Sequence, residues 1–500
     1  MKRAPLTLAA VAAALAAVTG IAAFTAPGTD PAASGAPAAR LPVERSTLLC
    51  PVPSGSDVAE TSYTSFTPAG SATGTATPGA AGKTADRGTA ALVTAAKQPK
   101  PLLTLREPGK PVAATANGAE APALAGFADG ALAPGWSAQQ TTVVPVGSSR
   151  GLLGTACSAP DTDFWFPGAS TAKNRQDYLH LTNPDEDTTA VVDIELHGPE
   201  GVLKSESTAT EGFKVPPRTS LSVSLATLSP APTAQVTVHV TTRSGRVGAT
   251  VLVQEDGVGA DWLPAATDAA PELVLPGIPA DATSVQLIAF APGEDDADLS
   301  LRLSVPTGSI TPAGFETLRV KSGMTASLDL KNVTRGEPGT LLLAPADSRH
   351  RTPVVAALRV VRGTGEKQEV AYIPAAAPVG ARATAADNRA TGGTLTLTAP
   401  SASATVKVTA SAGTGGGTPA TKTYTVRAGS TLAFVPPVPG GLKGGYALTV
   451  ETRSGGPVYA ARTLSLPRDG IPMFTVQTLQ DDRGTVPVPR AEQDLSVLTR

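Results

Sequence analysis

The sequence predicts an all-β protein of tandem immunoglobulin-like antiparallel β-sandwich repeats, each of about 105 residues. Three observations carry that expectation. Thr242-Arg243-Ser244-Gly245 recurs two periods later as Thr452-Arg453-Ser454-Gly455, and the polar turn Asp347-Ser348-Arg349-His350 lies one period in. Val215, Val320 and Val426 each lead through a turn into an alternating run, at Ser220 to Leu225, Ala326 to Leu330 and Ser430 to Phe434. Short runs of period two between Gly, Pro and Asp turns fill the chain, and no segment after the leader keeps a 3.6-residue apolar period.

The elements follow in order. Lys2-Arg3 and the apolar run from Leu8 to Phe24 read as an export signal over residues 1–26, with an uncleaved N-terminal anchor as the alternative. Membrane contact is expected only through that segment. Residues 27–40 are an Ala/Pro-rich linker. Residues 41–160 read as a divergent first sandwich with a loose loop from Pro68 to Ala91. Residues 161–268 form the clearest unit, with strands at Tyr178 to Thr182, Val191 to Leu196, Leu221 to Leu225, Val236 to Val240 and Val247 to Val253. Residues 269–366 repeat that order. Residues 367–500 form a last sandwich, which Phe474 to Leu479 completes, followed by a tail. Each later unit opens with an aromatic two residues before a proline: Trp165-Phe166-Pro167, Trp262-Leu263-Pro264 and Tyr372-Ile373-Pro374. Trp165, Trp262 and Tyr372 read as plugs between successive sandwiches stacked into a rod, with ligand stacking as the rival role.

Composition excludes some functions. A net charge of −2 offers no basic field, so nucleic acid is not an expected partner. The chain has two cysteines, Cys50 and Cys157. In an exported protein an even count suggests a disulfide, here across the first sandwich, while two free thiols remain the alternative.

The residues offer little chemistry. The four histidines, His180, His197, His239 and His350, have no metal-binding spacing in sequence, and His180 and His239 read as solvent-facing strand residues. No catalytic residue, cofactor or metal site is expected. Ser170-Thr171-Ala172-Lys173 matches the S-x-x-K nucleophile motif but lacks its partner motifs. Glu294, Asp295, Asp296 and Asp298 crowd one turn and are candidate calcium ligands, against the plainer reading of a solvated turn. Three Trp and six Tyr are few for a protein with several sugar platforms.

The Cys50-Pro51 start, the stretch from Arg150 to Cys157, Phe164-Trp165-Phe166-Pro167-Gly168 and Leu179 to Pro184 resemble an uncharacterised family of exported actinobacterial proteins, a domain of unknown function. The resemblance is best over residues 41–265. It implies export and a secreted or envelope location, and it brings no activity. The expected function is a non-catalytic structural or binding scaffold of the cell envelope, whose partner is an envelope protein or a cell-wall polysaccharide. A glycan-binding protein is the first alternative, and a hydrolase using a carboxylate such as Asp295 the second.

Overall fold

A computed structural model describes residues 39–70, 88–204 and 210–488. The expected leader, most of the linker, the middle of the Pro68–Ala91 loop and the end of the tail lie outside them. Residues 42–486 form one compact unit. Ala39–Pro42 and Thr485–Val488 pair as a two-stranded ribbon.

The described residues are all-β, apart from two three-residue 3-10 turns, and the strand pairs are antiparallel. Eight sheets form four two-sheet sandwiches, each with its own apolar core. Alternation builds them. On Ala190–Gly198, Val192, Ile194 and Leu196 are buried while Val191, Asp193 and Glu195 are not. Ala404–Gly413 does the same with Val406 and Val408 inward and Lys407 outward. Fully burying such a side chain contributes about 1.5–3 kcal/mol, which fixes the register, because a slip by one residue would turn the whole set outward.

The repeat markers fall on equivalent elements. Val215, Val320 and Val426 are the buried last residues of Phe213–Val215, Thr317–Val320 and Ala420–Val426. The strands that follow, Ser220–Ser224, Thr325–Lys331 and Ser430–Phe434, each lie at the edge of the sheet that ends in the unit's closing strand. The four closing strands are Gly151–Ala156, Gly259–Leu263, Glu369–Pro374 and Phe474–Leu479. Because Glu369–Pro374 pairs with Val355–Arg362, the third sandwich runs past residue 366, and the fourth begins after it.

The sandwiches do not stack into a rod. Each closing strand packs against the closing strands before and after it, and the fourth packs against the first, so the four units close into a ring around a hub. One joint recurs. In the second and third units the first strand bulges at a Pro-Gly pair, where Gly168 (φ +105°) and Gly277 (φ +99°) take a backbone that favours glycine. A Cβ on Gly277 would come within 2.6 Å of Ala461 in the next unit. The fourth unit bulges between Ala385 and Asn388, and there the Asp387 N–H donates to Gln139 Oε1 of the first unit at 3.1 Å. Ring closure thus reuses the joint that links neighbours in sequence.

Candidate functional site

The hub gathers side chains from the second, third and fourth closing strands, the backbone of the first, and Arg150 just before it. Asp261 Oδ1 accepts from the Gly154 N–H at 3.0 Å and from the Thr475 hydroxyl at 3.2 Å, so one carboxyl ties the first, second and fourth sandwiches together. The close approach requires glycine, since a Cβ on Gly154 would lie 2.5 Å from Thr475 Cγ2. Glu369, fully buried, sits against Gly151 and Gly259, where a Cβ would meet its carboxyl oxygen at 2.8 and 2.9 Å. Arg150 completes the clasp: its Nη2 donates to the Val258 and Gln368 carbonyls at 2.5 and 2.6 Å, just ahead of the second and third closing strands.

Burial sets the charge state of this hub. It pushes the Glu369 carboxyl up to about 9, with Arg150 opposing the shift only in part, and holds Asp261 well above the usual carboxylate range. Glu369 is therefore a neutral acid near pH 7, and burial drives Asp261 in the same direction. Neutral acids of this kind can serve as proton donors in catalysis, yet Asp261 and Glu369 are 1 % and 0 % exposed, which keeps substrate from them. Their role in this arrangement is to join sandwiches.

Where the closing strands end, the hub opens into a cavity of about 480 Å³ lined by all four sandwiches. Its wall includes Thr155 to Ser158 of the first unit, Pro264 to Asp268 after the second, Ala375 to Ala377 after the third, and Val476 to Arg483 of the fourth. Asp161, Asp163, Asp268, Asp481 and Asp482 face it together with Arg483, so acids outnumber bases. Asp482 is already engaged by Arg382 Nε at 2.5 Å. Such a surface suits a cationic or hydroxyl-rich ligand more than an anion. His180 also lines it, edge-on to Trp262 with ring centres 5.3 Å apart. Burial lowers the His180 pKa to about 4, so this ring is neutral at pH 7.

The model of a family of unknown function, DUF5719, matches residues 112–437. The chain belongs to that family. No curated protein shows significant similarity to it. The DUF5719 match covers Arg150, the first three closing strands, Asp261 and Glu369, and ends before Thr475. It begins well after Cys50 and runs into the fourth sandwich, whereas the sequence placed the resemblance best over residues 41–265.

The expected site residues of this DUF5719 chain fall as follows. Cys50 and Cys157 form a disulfide, Cα to Cα 4.5 Å, joining the strand Arg45–Cys50 to the residue after the first closing strand, at the cavity wall. Trp262 is buried among Ala59, Val144 and Leu153 of the first sandwich, and Tyr372 sits in the core of the second. Both belong to closing strands, so they end units rather than open them. Trp165, half-buried on the first strand of its unit, stacks on His239 and on Phe290 of the third sandwich. In the acidic turn Asp296 Oδ2 accepts from Arg319 at 2.9 Å and Oδ1 from the Ser322 N–H at 3.0 Å, and these bonds hold its carboxyl below the usual range. Glu294, Asp295 and Asp298 do not converge with it on a common point. Ser170 is buried and donates to the Thr233 carbonyl, a turn anchor with Lys173 exposed.

His180 does not face solvent. It is 7 % exposed, because the outward face of its sheet is covered by the neighbouring sandwich. Sequence reasoning also passed over Asp261 and Glu369. Their signal was an acid in a continuously buried closing strand, each beside glycines on its own or the adjoining strand.

Proposed function

We propose that this protein is an exported, non-catalytic binding scaffold of the cell envelope, and that the cavity at the end of the hub is where it holds its partner. The observation that carries the reading is the cavity itself, whose wall draws on all four sandwiches and so exists only in the closed ring. The Cys50–Cys157 disulfide supports an oxidising compartment outside the cytoplasm. The wall mixes apolar and polar groups with acids in excess, and its aromatics, Trp136 and Phe164, are buried, which favours a partner bound by hydrogen bonds and charge over one bound by ring stacking. Among the described residues no helix is long and apolar enough to cross a membrane.

The test is co-sedimentation of residues 41–500 with isolated actinobacterial cell-wall sacculi, with and without their attached polysaccharides. Saturable binding that Ala266→Trp abolishes by filling the cavity is the expected result, and loss with the polysaccharide identifies a glycan as partner. Binding unaffected by Ala266→Trp would overturn the assignment to the cavity.

A further inference from the structure

Beyond Asp163 of the cavity wall, the face of the second sandwich turned from its own core carries a cluster with no place in the hub. We infer that Glu195, His197 and His239 form a binding site for a divalent transition-metal ion of the zinc class, with Asp163 orienting His239.

Two strands build it. Glu195 and His197 are two residues apart on Ala190–Gly198, which puts both on one face of the sheet. His239, on Val236–Ser244, is the direct cross-strand partner of Glu195. His197 Nε2 lies 3.5 Å and His239 Nδ1 lies 4.0 Å from the same oxygen, Glu195 Oε2. The ligand atoms of all three fall within 4.8 Å of one another. Zinc bonds of about 2.0–2.2 Å put neighbouring ligand atoms of a tetrahedron about 3.3–3.6 Å apart, so one pair already has the spacing and the others need only small side-chain rotations.

Independent features point the rings at an ion. The His197 side chain is only 9 % exposed, and both its nitrogens are buried without a hydrogen-bond partner, since Glu195 Oε2 at 3.5 Å is out of hydrogen-bond geometry. A buried ring left so is unusual, and a coordinated ion would engage its Nε2. On the far side of His239, Asp163 Oδ2 lies 3.2 Å from Nε2. By accepting that N–H it leaves the Nδ1 lone pair facing Glu195, the carboxylate–histidine arrangement that metal sites use to fix tautomer and ring plane. Trp165 stacks on His239 with ring centres 3.6 Å apart and planes within 6°, and Phe290 of the third sandwich packs on His197 at 4.5 Å. The rings are thus held before any ion arrives.

The donor set selects the ion. Two imidazoles and one carboxylate suit Zn²⁺, Cu²⁺ or Ni²⁺, whereas Ca²⁺ and Mg²⁺ favour six or more oxygens. Glu195 is 57 % exposed, so the ion enters from solution and keeps a coordination position open to water.

Calorimetric titration of residues 41–500 with Zn²⁺ alone tests this. One ion per chain is expected, with Ca²⁺ giving no heat and Co²⁺ giving the visible absorption of a low-coordinate nitrogen–oxygen site. His239→Asn and Glu195→Gln alter exposed or partly exposed groups and should keep the near-ultraviolet circular dichroism while losing the binding. Asp163→Asn should weaken it by about tenfold or more. Absence of Zn²⁺ binding, or equal binding by both variants, would overturn the site, and equal affinity for Ca²⁺ would overturn its class.

Discussion

The junction between the second and third sandwiches and the one between the fourth and first use the same joint but differ in how their polar groups are met. At the second–third junction Arg359 donates to both Glu255 oxygens at 2.8–2.9 Å, and Arg175 donates to both Asp177 oxygens at 2.9 and 2.7 Å while lying 5.7 Å over the Tyr372 ring. Tyr372 itself is packed into the second core. Behind the joint that meets the first unit, inside the fourth sandwich, Arg462 is fully buried yet makes a single hydrogen bond, to Gln477 at 3.1 Å, and its Nε and Nη1 have no partner. Burial lowers its pKa to about 10. At the joint itself Gln139 Nε2 is likewise unmet, and the apolar contacts are small clusters, Phe66 with Ala386 and Ala447, and Leu152 with Leu464 and Met473. A buried polar group left unpaired forfeits about 1–3 kcal/mol. The second–third junction also leaves the Tyr372 hydroxyl and both His197 nitrogens unmet, so its advantage lies in its buried ion pairs and shared apolar core.

That contrast can be broken or sharpened by measurement. Tyr372→Ala should have the largest effect, a loss of about 4 kcal/mol in denaturant unfolding, because it empties a core site shared by two sandwiches. Arg359→Met should follow at about 3 kcal/mol, since it strips the nearly buried Glu255 carboxylate of its hydrogen bonds and leaves it only Arg175 Nη1 at 3.9 Å. Glu369→Gln probes the hub that both junctions share. Glu369 is protonated in the fold and ionises in the unfolded chain above about pH 4.5, so its stabilisation is full below that pH and is lost as pH rises through about 9. Wild type should thus lose about 2.7 kcal/mol between pH 6 and pH 8 that Glu369→Gln does not lose. Equal pH slopes would place an ionised carboxylate in the hub. Arg462→Met should have the smallest effect, within about 1 kcal/mol of wild type, because an unmet guanidinium is exchanged for an apolar chain of similar length. If Arg462→Met proves as costly as Arg359→Met, the difference between the junctions is wrong.

The strands and their phase were legible in the residues. Alternation at Val191 to Leu196 and the markers at Val215, Val320 and Val426 fall on buried, topologically equivalent positions, because period two is imposed by each sandwich alone. Ring closure was not legible. A tandem repeat specifies contacts between neighbours, while the Gly154–Thr475 and Gln139–Asp387 bonds join residues hundreds of positions apart. The histidines show the consequence. Alternation correctly separates His180, His197 and His239 from the cores, yet a face turned from its own core is not a face turned to water once another sandwich covers it. Their convergence with Glu195 depends on cross-strand register, which spacing along the chain does not reveal.

The Val43 N–H donates to the Gly484 carbonyl at 3.2 Å, so the backbone enters and leaves the ring at one place. Four sandwiches laid end to end would set their termini far apart and gain reach with every unit. Closed on itself, this ring returns the chain to its starting point, so the strands before Val43 and after Gly484 leave it side by side.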